Sequence, residues 1–96
     1  MKQEVFDVHN RLVQMTMVLK LQKLNRTELP SLSYRNLEDF LMESLWKKAL
    51  PGSLHQAADE ILSVSASDIV RFLSMRAVRD GARSNLEDFS DVIGGN

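Results

Sequence analysis

The side chains best placed to do chemistry are arginines gathered around an aromatic, in the run RFLSMRAVRDGAR from Arg71 to Arg83. On a helix, Arg76, Arg79 and Arg83 fall along one stripe, with Phe72 and Met75 among them and Arg71 further round. Arg83 joins only if the helix continues past Gly81. Guanidinium groups beside an aromatic suit two tasks. They can grip phosphates while a base stacks, or hold an acidic partner helix. The plainer alternative is a solvated face, with Arg76 partly neutralised by Asp80 one turn on. Lys47 and Lys48, after Trp46, extend a basic surface only if folding brings them near.

Catalytic and metal chemistry find less support. The only histidines are His9 and His55, and no carboxylate–histidine ligand spacing surrounds either. Glu38 and Asp39 are adjacent, so on a helix they point about 100° apart and form no paired acid; Asp59 and Glu60 share the problem. The serines occupy capping positions, and none sits in a Gly-x-Ser-x-Gly elbow. The four glycines make no phosphate-cradling loop. Without cysteine there is no thiol nucleophile, disulfide or cysteine-bound metal. The chain reads as a non-enzyme with no catalytic residue, cofactor or metal site.

The elements that must carry the arginine stripe are helical. Apolar residues recur at three- and four-residue steps and no segment alternates with period two, so the expected fold is all-α, with no sheet. Capping signals divide it into four main helices, over about 3–24, 34–50, 54–63 and 66–80. Ser33 caps the second, Ser53 with Gln56 the third and Ser65 with Asp68 the fourth. Pro51-Gly52 stops the second helix, and Gly81 is the natural left-handed stop of the fourth. Ser84 and Glu87 form another capping box, which suits a short C-terminal fifth helix over about 85–92, with Leu86, Phe89, Val92 and Ile93 available to dock. Helix one carries two apolar stripes. Val5, Val8, Leu12, Met15 and Leu19 form one; Phe6, Val13, Met17 and Leu24 form the other, so the helix is either buried centrally in its bundle or shares this second face with another copy in a homodimer.

Composition sets the outer bounds. The 96 residues, 44% hydrophobic and 26% charged, suit one ordinary globular domain, residues 1–93, before a frayed 94–96 tail. A net charge of −1 argues against a general electrostatic grip on nucleic acid. Asp68 at the start of helix four, and a turn without glycine, argue against a DNA-reading helix-turn-helix. No run of about 18 apolar residues offers a membrane span. Glu4, Asp7, His9 and Arg11 interrupt any signal-peptide core, and the lack of cysteine fits a reducing cytoplasm.

One longer pattern goes beyond local physics. The series Leu32-Ser33, Phe40-Leu41, Trp46-Lys47, Leu54-His55, Ile61-Leu62-Ser63, Ser65-Ala66, Phe72-Leu73 and Ala77, over about Leu32 to Val78, resembles the ComN-like post-transcriptional regulators, the competence regulators of Gram-positive bacteria. Its most specific piece is Leu54-His55 followed by Asp59, Ile61, Leu62 and Ser63. These positions are read as structural. The resemblance implies a cytoplasmic, non-enzymatic helical regulator acting on messenger RNA or on proteins that handle it. The combined reading is an adaptor that binds a protein partner. The alternatives are direct RNA or single-strand binding through Arg71, Phe72, Met75, Arg76, Arg79 and Arg83, and a structural homo-oligomer.

Overall fold

Asn10 decides where the first helix begins. In the computed structural model, which describes residues 4–94 and their side chains through Gly81, Asn10 Oδ1 accepts the backbone N–H groups of Leu12 and Val13 at 2.9 and 3.2 Å. Its Nδ2 donates to Val5 O and to Glu4 Oε2. Asp7 Oδ1 accepts the backbone N–H of His9. Helix α1 is therefore Arg11–Arg26 and does not reach back to about residue 3. Short polar side chains at Asp7 and Asn10 capture the backbone groups that a longer helix would need, and the chain makes a capped turn instead.

The inner stripe of α1 is Val13, Met17 and Leu24, all buried, with Lys20 buried among them. Of the two readings of the Phe6, Val13, Met17 and Leu24 stripe, the structure takes the helix buried in its own bundle and not the self-association face. Three of them lie in the core of a single chain, and Phe6 packs against it. The other stripe, Leu12, Met15 and Leu19, faces solvent. Both stripes have helical spacing, so periodicity alone does not say which one the rest of the chain covers.

Lys20 can be buried because its ammonium group has a task. Nζ donates to Leu62 O at 3.0 Å, a free carbonyl in the last turn of α3 (Leu54–Ser63). A cation there satisfies an orphan acceptor and meets the negative end of the helix dipole. Desolvation pulls the Lys20 pKa down, Lys23 adds to the effect, and Glu28 opposes it.

After α1, Asn25 Nδ2 ties the connector by donating to Leu29 O and Leu32 O. Ser33 then starts α2 (Tyr34–Phe40) with a reciprocal box: its Oγ accepts the Asn36 N–H, and Asn36 Oδ1 accepts the Ser33 N–H. The second helix does not continue to about residue 50. It widens into one π-turn over Leu41–Leu45, closed by Trp46 N–H donating to Leu41 O at 2.7 Å. The wider turn seats Trp46 in the core, and Trp46 Nε1 donates to Glu60 Oε1 on α3 at 2.7 Å. Glu60 Oε2 accepts Gln56 Nε2, and Gln56 Oε1 accepts the Gly52 N–H. The Gln56 side chain thus serves Gly52, one residue before the cap.

Helix α3 lays Ala57 and Ile61 into the core against α1. After the Val64–Ser65 hinge, α4 runs from Ala66 to Gly94 as one helix of 29 residues. Among the described residues there are four helices and the π-turn, and no strand. Gly81 does not stop α4, since it takes no positive φ, and glycine costs a helix interior only about 1 kcal/mol. The continuation of α4 replaces a separate fifth helix. The docking of Leu86, Phe89, Val92 and Ile93 lies outside the described side chains, and the 94–96 tail, apart from Gly94, lies outside the described residues. Ile69 is fully buried and Phe72 and Leu73 partly so, whereas Val70 and Ala77, though apolar, are exposed.

Two measurements test these roles. Asn10→Ala should cost roughly 1–2 kcal/mol in urea denaturation, as loss of a well-used N-cap does. Lys20 binds its proton less tightly when folded, so the unfolded chain holds more protons just below pH 10.5 and stability there rises with pH. Wild type should gain stability relative to Lys20→Met as pH rises through that window.

Candidate interaction groove

The end of α2 and the first turns of α4 enclose an open groove. Its floor is Phe40 against Phe72, packed edge to face with ring centroids 5.6 Å apart. Such pairs hold better than their buried area alone suggests. Met42 and Leu45, both exposed, come from the π-turn on one side; Met75, 66% exposed, comes from α4 on the other. Without the π-turn, these two residues would lie at different angles about the α2 axis.

Charges ring this apolar floor. Lys47, Arg71, Arg76 and Arg79 line the groove together with Glu43 and Asp68. The cations are largely answered by carboxylates. Arg76 Nη1 donates to Asp39 Oδ2 on α2, where Asp39 is 14% and Arg76 33% exposed. The Asp39 hydrogen bond and charge raise the Arg76 pKa. Arg76 Nε also lies 3.8 Å from Asp80, and Arg35 approaches Asp39 from the previous turn of α2. Arg79 and Arg71 lie 3.9 Å from Asp80 and Asp68.

Arg71, Phe72, Met75, Arg76 and Arg79 thus share one groove, while the Arg83 side chain lies outside the described residues. Arg76 does not present its charge to solvent with only Asp80 beside it; it clamps α4 to α2. Lys47 reaches the groove, and Lys48 is not among the lining residues. Sequence reasoning missed Met42, Glu43 and Leu45 as groove residues, and Asp39 as the partner of Arg76. Asp39 is 37 positions from Arg76, beyond any local pattern.

Of the positions carrying the longer pattern, Phe40, Leu41, Trp46 and Ile61 are buried, Leu54 and Leu73 partly so, and Ser65 caps α4 through the Asp68 N–H. His55, Leu62 and Ala77 are exposed, so a structural reading does not extend to their side chains. Leu62 sits about 100° round α3 from Ile61, which alone takes the inner position. His55 Nε2 lies 3.3 Å from Asp59 on an open surface. His9 is exposed, and among the described residues no three His, Asp or Glu side chains converge. No described helix is long and apolar enough to cross a membrane.

The sequence model of a family described as Post-transcriptional regulator matches residues 6–88. No curated protein and no solved structure matches the chain.

The clamp predicts a coupling. Asp39→Ala should lower the melting temperature, and Arg76→Ala should add little once Asp39 is gone. Additive losses in the double-mutant cycle would show that the two side chains act separately.

Proposed function

The chain belongs to the post-transcriptional regulator family, and from that premise we propose that it is a non-enzymatic adaptor that binds a protein partner through the α2–α4 groove. The pairing of the groove arginines carries this reading. Phosphate recognition by bulk electrostatics needs cations free to displace counterions. Here Arg76 is held by Asp39, and Arg71 and Arg79 stand beside their own carboxylates. What the groove offers freely is apolar surface at Met42, Leu45 and Met75, rimmed by charge of both signs. That anatomy suits a protein interface, where an apolar centre gives affinity and a polar rim sets register.

The finer kinship, with the ComN-like competence regulators of Gram-positive bacteria, rests on the Leu54–Ser63 pattern. A cytoplasmic place of action goes with it. In this reading the regulated message is reached through the partner protein.

Affinity capture from native lysate, with and without nuclease, tests the proposal alongside single-stranded RNA titrations at low and physiological salt. The partner should survive nuclease treatment and be lost with Met75→Glu, a change at an exposed position. RNA binding that falls steeply with salt and disappears in Arg71→Ala/Arg79→Ala would replace the adaptor with a direct RNA contact.

A further inference from the structure

Helix α1 presents a second apolar surface, separate from the groove. Leu12, Met15, Val18 and Leu19 lie on its outer side, with Met15 60% and Leu19 63% exposed. Arg11 flanks this stripe at one end, and Lys23 and Arg26 at the other, all exposed. No acidic residue occurs between Asp7 and Glu28. The surface is therefore apolar and positive, and its complement would be apolar and negative.

The chain carries such a complement. Between Ser84 and Ile93, Leu86, Phe89, Val92 and Ile93 recur at helical spacing, and Glu87, Asp88 and Asp91 supply only negative charge. The backbone there continues α4. Because α4 packs chiefly on α2, a continuous helix does not bring this segment back to its own α1. We propose that the 84–93 segment of one copy docks on the outer face of α1 in a second copy, and the reverse, forming a closed two-fold dimer. Reciprocity covers both apolar surfaces twice and leaves no open end to extend a filament. Direct pairing of α1 with α1 is disfavoured, since it would set two wholly basic helices against each other.

Sedimentation of the full chain over a range of concentrations tests the proposal. Wild type should approach the mass of two 10.9 kDa chains. Met15→Glu and Phe89→Glu should each weaken association roughly tenfold or more while keeping wild-type helicity. Mixing the two variants should recover association only in part, because the intact tail of the Met15→Glu chain meets the intact α1 of the Phe89→Glu chain while the reciprocal contact carries both substitutions. Several results overturn the proposal. A wild-type monomer at every concentration would do so, as would a Met15→Glu or a Phe89→Glu chain that dimerises normally. A monomer that sediments with phosphatidylglycerol vesicles through Met15 would instead assign the α1 face to an anionic membrane. None of these readouts depends on the α2–α4 groove, so the adaptor reading stands or falls separately.

Discussion

The hydrogen bond from Trp46 N–H to Leu41 O shapes more of this molecule than any other single contact. It closes a turn one residue wider than an α-helix allows. That extra residue rotates Trp46 inward, where its indole reaches Glu60 and ties the end of α2 to α3. It also leaves Met42 and Leu45 outside, as one wall of the groove. Core and surface are set by the same local irregularity. π-Turns cost regular hydrogen bonding, and they recur where a protein needs a side chain aimed differently from its neighbours.

Around that turn the fold uses charges as fasteners. Lys20 caps α3 from α1, and Arg76 clamps α4 to α2 through Asp39. In each case a long side chain lays its hydrocarbon stem along apolar neighbours and delivers its cation to one acceptor. For a chain of this size, with a limited core, such contacts add direction as well as stability. They also change the meaning of the arginine stripe. Charges occupied in holding helices together contribute less to the field a nucleic acid would meet, and the apolar residues between them become the more distinctive feature of the surface.

Boundaries were legible where they rest on chemistry within one turn. Ser33, Ser53 and Ser65 each cap the helix that follows, because a hydroxyl three residues from a free N–H needs nothing distant to form its bond. The start of α1 was less legible: apolar spacing runs through Asp7 and Asn10 to about residue 3, whereas the side chains of these two residues hold the turn that begins the helix. Gly81 read as a stop by its residue type, yet no left-handed turn forms there. The π-turn left no signature in apolar spacing, since Leu37, Leu41 and Leu45 would suit an ordinary helix equally well.

By itself, then, the sequence determined an all-helical chain, its serine-capped turning points and the gathering of arginines with Phe72 on one helix. These follow from contacts within about four residues, which any window of the chain contains. Tertiary structure alone decided which stripe of α1 faces inward, that Lys20 is buried, that Arg76 belongs to Asp39, and that the π-turn stands across from α4. Lys20 and Leu62 lie 42 positions apart, and Arg76 and Asp39 lie 37. Two stripes with equal periodicity are equally good candidates for burial until other helices cover one of them, and only the packed chain makes that choice.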